Sequence, residues 1–556
     1  MYALIAYLIT SNIFLALQSA ENNTCAYTIE TSQWCGIELT FTSSENYKNA
    51  YTDVEMWAWF VNDKGDSLKR PAFWDGGNTW KVRFTAPDAK HRWKWYTYAL
   101  PALNGLSNKS GEIAPLATTN KNTFNRHGLL KMSPGKRNVI YADGTPFLLV
   151  GDTPWSLPYR ATTGQAEEYA ADRQQKGFNA ALLLAVQPDK LAEGPPARNT
   201  NEGFARAFAD LPAGHLNNLE PLYFKTLDSF INILNYHQIV PVFAPLAFGY
   251  GWKGKEALGQ NAVPAEYARF CRYLVARYGS SPACWLISLD GNGKAPCVTA
   301  AGKEIETWDA YQQPVGLHYS PCDDFLASWA GNDSSYCFHY DSTHQSAVWL
   351  DFQWAQTGHE DKHIYHKVER MYGYTPVKAV MNGEPTYEKM EEGKYGLGWW
   401  QGEDAWNQLM HGGTMGVVYG AACLWQWKIT ADEPGWESWT NANYSWKDAL
   451  HFEGSNYVGA IAKAFKGFDF TDMQKRWDLT EKNNPLLAKE GVFYIAYLES
   501  GGTISIKKVS QHLPYHWFNP RTGTFHEANK KIETNSFKAP NNSQPWVLII
   551  GNKKEE

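Results

Sequence analysis

Residues 222–243 read LYFKTLDSFINILNYHQIVPVF, and residues 180–186 ahead of them read AALLLAV. In the longer stretch Tyr223, Leu227, Phe230, Ile231 and Leu234 recur at i, i+4, i+7, i+8 and i+11, one face of a helix. The run that follows, Ile239–Phe243, is short and apolar, as AALLLAV is, and both suit strands covered on two faces. A buried strand, an amphipathic helix and a second buried strand make one β-α-β unit.

Outward from that unit the rhythm repeats. Strands are expected at Phe147–Val150, Ala180–Val186, Ile239–Phe243, Trp285–Leu289, Gly316–Tyr319, Val348–Phe352, Val377–Met381 and Val417–Trp425. Helical intervals include Gln165–Lys176 and Ala265–Tyr278. Eight β-then-α units in about 290 residues predict an α/β fold, a (β/α)8 TIM barrel spanning 125–444. Before it, alternating runs at Trp34–Phe41, Val54–Val61, Thr79–Phe84 and His91–Ala99, with a turn at Asp75–Asn78, predict an N-terminal β-sandwich over 24–122. After it, runs at Val492–Leu498, Thr503–Val509, Tyr515–Phe518 and Trp546–Ile550 predict a C-terminal β-sandwich within 445–556.

Composition narrows the function. Charged residues are 19% and hydrophobics 44% of the 556, which excludes a largely disordered chain. A net charge of −6 leaves no basic excess for phosphates, so nucleic acid is excluded as a partner. Aromatic residues reach 15%, and flat rings with a polar edge suit the C–H faces of sugars. Met1–Leu17 carries no charge and is mostly apolar, too short to span a bilayer, and reads as a signal peptide over 1–20. The expected location is therefore secreted or periplasmic, free or attached to the cell surface, with no transmembrane segment. Eight cysteines are too few for a disulfide framework, although Cys25 with Cys35, and pairs among Cys284, Cys297, Cys322 and Cys337, are conceivable. No Cys-x-x-Cys occurs, and neither cofactor nor metal is implied.

In a barrel of this kind the chemistry sits at the C-terminal ends of the strands. Two carboxylates stand out there: Asp290 after WLISL, at the end of strand four, and Glu384 after KAVMN, at the end of strand seven. These strands face each other across the mouth, which suits glycoside hydrolysis, with one acid for the leaving oxygen and one carboxylate for the anomeric carbon. The alternative for either residue is a helix cap. Around the pair, Asp152, Trp155, Gln187, Trp252, Asn292, His318, Tyr387, Gln426 and Trp427 are the candidates for holding a polysaccharide or oligosaccharide substrate. One motif competes: His359-Glu360-Asp361-Lys362-His363 matches H-E-x-x-H, the zinc-protease helix. Its two intervening residues are both charged and no further ligand pattern follows, which argues against a buried zinc helix.

The stretches Asp143–Trp155, Trp285–Asp290, Gln356–His359, Asn382–Glu388 and His411–Trp427 together resemble the apiosidase-like glycoside hydrolases, family 140 and relatives. Ser445–Leu450 and Trp517–Gly523 resemble the C-terminal module, labelled collagen-binding, that often follows that barrel. The resemblance implies a retaining hydrolase with an Asp acid/base and a Glu nucleophile, which fall on Asp290 and Glu384. Ser288-Leu289 stand where the family pattern has glycines, a departure that bears on apiose as the sugar. The expected activity is cleavage of a glycosidic bond in a plant or algal polysaccharide side chain. The rival is a non-catalytic adhesin that binds glycan or matrix through its β domains.

Overall fold

Eight strands form the barrel: β1 (Leu149–Asp152), β2 (Ala180–Leu184), β3 (Val240–Ala244), β4 (Cys284–Leu286), β5 (Val315–His318), β6 (Phe352–Gln356), β7 (Ala379–Glu384) and β8 (Gly416–Tyr419). Paired neighbours all run parallel, in the order β7-β6-β5-β4-β3-β2-β1-β8. Met415 N–H donates to the Val380 carbonyl at 3.1 Å across the remaining seam, bringing β8 back to β7. This computed structural model describes residues 28–189, 192, 194, 206–249, 257–320, 342–435 and 440–554.

Every residue of β2 (AALLL) and β3 (VPVFA) is buried, because the barrel interior covers one face and the helices the other. Those helices begin where their sequences dictate. α1 (Thr163–Lys176) opens on a reciprocal Thr162–Gln165 capping box and stops at Gly177, whose φ of 108° disfavours any side chain. α2 (Pro221–Tyr236), α3 (Pro264–Tyr278) and α4 (Pro296–Trp308) each start on proline, whose fixed φ suits a first helical position that needs no N–H partner. The stripe expected on α2 is the buried one, with Phe224 and Thr226 added. α5 (His366–Tyr372) and α6 (Trp399–Met410) follow β6 and β7.

Every strand shifts by at least one residue at one or both ends from the sequence reading, and three of the shifts have a plain cause. Pro146–Phe147 belongs to a small antiparallel sheet with Leu130–Met132 and Val139–Tyr141, and β1 begins only at Leu149. Val348 is 81% exposed: the apolar run there is a turn that buries Trp349 and Leu350, and β6 starts at Phe352. β8 ends at Tyr419, after which the chain turns through Trp425 and buries Trp427.

The N-terminal region is two sheets, of five and three strands, face to face over Met56, Ala58, Phe60, Trp80, Val82 and Phe84. It joins the barrel through charge. Arg83 and Arg277 both pair with Asp228 of α2 at 2.8 Å, and Arg277 also reaches Asp75 at 3.0 Å. The C-terminal region builds a six-stranded and a two-stranded sheet, and its Phe493, Ile495 and Ile549 join the barrel's own hydrophobic cluster. Among the described residues no helix is long and apolar enough to cross a membrane. Cys284 and Cys297 are both buried and free, so they do not pair with each other; Cys25, Cys322 and Cys337 lie outside the described residues.

Candidate active site

Beyond β4 the chain keeps contact with both neighbours: Phe248 N–H donates to the Leu289 carbonyl and His318 N–H to the Ser288 carbonyl, each at 2.8 Å. Asp290 then turns out of the wall at φ 58°, in the left-handed region that Asp and Asn tolerate better than most residues. The turn fits because residue 249 is glycine; a Cβ there would lie 2.1 Å from the Asp290 carbonyl oxygen. Glu384 ends β7 with its side chain buried, whereas the Asp290 side chain keeps 21% of its surface exposed at the mouth.

The two carboxylates and His318 meet. One oxygen of Asp290, one of Glu384 and a ring nitrogen of His318 lie within 4.8 Å of one another. His318 Nδ1 is 3.5 Å from Asp290 Oδ1, and its Nε2 is 3.5 Å from Glu384 Oε2. On the other side, Glu384 Oε1 accepts from the Tyr387 hydroxyl at 2.5 Å and faces His359 Nε2 at 3.2 Å. The Trp155 indole N–H donates to that same hydroxyl at 2.9 Å. An indole can only donate, so the Tyr387 proton is committed to Glu384.

This environment drives the two acids apart. Burial, and then the negative charge of Glu384, push the Asp290 carboxyl well above the ordinary carboxylate range. Burial also opposes the charge on Glu384, but the hydrogen bond and charge of His359, with His318 and Tyr387, outweigh it and hold Glu384 below its ordinary value. Burial takes His318 down to about 4, so its imidazole is neutral at neutral pH. Two neighbouring carboxyls with separated proton affinities can divide the tasks of proton donor and anion between them.

The other sequence-derived candidates divide. Trp155 and Tyr387 are in the site, but as supports for Glu384, and the Trp155 ring stands edge-on to His318 at 6.1 Å. Asp152 is fully buried, where it pairs with Arg173 Nε at 2.5 Å and accepts from Tyr169 and the Thr153 N–H. It ties α1 to β1 rather than facing a sugar. Trp427 is likewise core: fully buried, it stacks on Trp446 at 4.8 Å and donates to Gln165. Gln426 donates to the Ala422 and Thr440 carbonyls, Gln187 accepts from the Ala207 N–H, and Asn292 accepts from the Lys294 N–H within its own turn. Trp252 lies outside the described residues.

His359 is the residue the sequence reading placed elsewhere, inside the H-E-x-x-H motif. Residues 359–363 are not helical; α5 begins at His366. His363 pairs with Asp404 at 3.1 Å and stacks on Trp400, while His359 turns to Glu384, so the two imidazoles do not form the i, i+4 pair of a zinc helix. Its position just past the end of β6, after Gln356-Thr357-Gly358, is the signal that marks it. Asp290, His318 and Glu384 are themselves near enough to offer donors to a cation. However, His318 meets Asp290 through Nδ1 and Glu384 through Nε2, so the ring lies along the pair instead of sharing one apex with it.

Gly383 sets the His318 ring in place: a Cβ there would lie 2.8 Å from His318 Cδ2 and 2.9 Å from Trp354 Cε3. Gly383→Ala is therefore expected to lower kcat/KM by about a hundredfold through displacement of His318. Its stability cost, from overpacking, should be about 1–3 kcal/mol. Steady-state kinetics beside thermal unfolding checks both.

Comparison with curated proteins gives no match. Among solved structures, a glycoside hydrolase superposes with a TM-score of 0.61 at 18% identity, over 78% of this chain and 98% of that one. A family 5 glycoside hydrolase from Bacteroides vulgatus gives 0.59 at 17% identity, over 77% and 94%. Another protein of that organism gives 0.66 at 15% identity, over 94% and 99%. Residues 30–99 match a domain of unknown function, and 477–551 a family named for a collagen-binding domain of a collagenase. Residues 133–472, more than half of the chain, match the family model described as "Apiosidase-like, catalytic domain". With that match on a barrel shared with glycoside hydrolases, the protein belongs to the apiosidase-like family and is a glycosidase.

Proposed function

We propose that the protein is a retaining exported glycosidase that cleaves a side chain of a plant or algal polysaccharide, with Asp290 as acid/base and Glu384 as nucleophile. The observation that carries this is the approach of the two carboxylates, within 4.8 Å, with opposite shifts in proton affinity. Retaining enzymes hold their carboxyls about 5–5.5 Å apart, whereas inverting enzymes leave room for a water between them. In the first step Asp290 gives its proton to the glycosidic oxygen while a Glu384 oxygen attacks the anomeric carbon, releasing the leaving alcohol and forming a glycosyl ester. Glu384 Oε1 is held by Tyr387 and His359, which leaves Oε2 for the attack. Esterification removes the charge that raised Asp290. The Asp290 carboxylate then takes a proton from water, whose oxygen displaces Glu384 and regenerates both side chains. Export rests on the uncharged apolar opening Met1–Leu17.

Digestion of pectic, hemicellulosic and algal glycans identifies the released sugar, and proton NMR of the fresh product reads its anomeric configuration. Retention is expected; inversion would remove Glu384 from its role. Activity should follow a bell in pH: the acid limb follows protonation of Glu384, the alkaline limb loss of the Asp290 proton. Asp290→Asn should cost about 10²–10⁴-fold in kcat on the polysaccharide and erase the alkaline limb. A substrate with an aryl leaving group, which needs little protonation, should lose far less.

A further inference from the structure

His318 is fully buried between the two acids, and neither ring nitrogen makes a closer hydrogen bond among the described residues. Its Nδ1 faces Asp290 Oδ1 and its Nε2 faces Glu384 Oε2, each at 3.5 Å. A neutral imidazole has one N–H and one lone pair, so it cannot donate to both carboxylates. We propose that His318 is a positioning residue whose ring, protonated on Nε2 alone, donates to Glu384 and turns its Nδ1 lone pair toward Asp290, so that one side chain keeps the charge on the nucleophile and the proton on the acid. This rests on the Asp290–Glu384 assignment under the proposed function.

The rest of the site selects that tautomer. Glu384 already accepts from Tyr387 and faces His359, so it is the better place for the negative charge. The opposite tautomer would set a lone pair against that anionic oxygen. The titratable groups around the ring are Asp290 beyond β4, Glu384 on β7, Tyr387 after it and His359 after β6; the Trp155 edge and the Gly383 backbone hold the ring plane. The arrangement also serves the second half of the reaction. Once Glu384 is esterified, Asp290 is the anion, and a lone pair facing it strengthens its pull on the proton of water. No proton passes through the ring.

Two measurements on the full chain test this. Selective ¹⁵N-histidine NMR, with the His318 signal assigned by its loss in His318→Gln, should show the Nε2–H tautomer across neutral pH; the Nδ1–H tautomer overturns the proposal. The second is the pH profile of kcat/KM on the glycan that the wild type cleaves, whose alkoxide leaving group needs the Asp290 proton. His318→Phe should raise the acid limb and lower the alkaline limb by about one unit each, narrowing the bell. His318→Gln, whose amide nitrogen falls near Nε2, should restore the acid limb alone. A purely structural ring would lower the plateau and leave both limbs in place, which also overturns the proposal. If instead Glu384→Gln keeps wild-type turnover, it is the catalytic pair itself that fails.

Discussion

Glu384→Gln is expected to lower kcat by about four orders of magnitude or more while leaving the thermal transition close to that of the parent. An amide cannot form the glycosyl ester, yet its carbonyl oxygen can still accept from Tyr387, so the supporting contacts of the pocket persist. Glu384→Ala opens space instead, and added azide should restore turnover and yield a glycosyl azide of inverted configuration. A Glu384→Gln enzyme that still cleaves its glycan, or an alanine variant that azide does not revive, would defeat the nucleophile assignment.

Arg173→Ala is expected to destabilise the barrel by about 3–5 kcal/mol, a large share of the net stability that a folded domain ordinarily has. Arg173 is fully buried, gives one N–H to Asp152 at 2.5 Å and another to Asp172, and lies near the rings of Tyr169, Phe178 and Tyr419. Removing it strands the carboxylate of Asp152 in the wall between β1 and α1. The pair Asp152→Asn with Arg173→Met should recover most of the loss, because neither partner then leaves a charge unpaired. Denaturant midpoints of the single and double variants give the comparison. A single variant as stable as the parent would mean that the Arg173–Asp152 contact does not hold α1 to β1.

Both outcomes bear on what the residues alone disclosed. The barrel was legible because eight apolar runs alternate with helices marked by cap, stripe and proline, and such signals are local. Where runs were longer than strands, as at Val348 and after Tyr419, an apolar residue turned out to serve a turn, which periodicity does not separate from a strand. Asp290 and Glu384 were legible as acids at strand ends. The direction of each neighbouring side chain was not: Asp152 ends β1 and Trp427 lies in the turn after β8, but contacts with Arg173 and Trp446 draw them into the wall. His359 shows the converse. Its pairing with Glu384 depends on the loop after β6 folding inward, and the short H-E-x-x-H pattern pointed to a helix that does not form.

The corner that carries Asp290 has an evolutionary corollary. Its left-handed backbone, pressed against Gly249, accepts asparagine as readily as aspartate and disfavours β-branched side chains. One nucleotide substitution turns an aspartate codon into an asparagine codon. Gene copies that abandon hydrolysis but go on gripping the same glycan are thus a short mutational step away, and inert paralogues bearing asparagine at this corner are the descendants to look for in sequenced genomes.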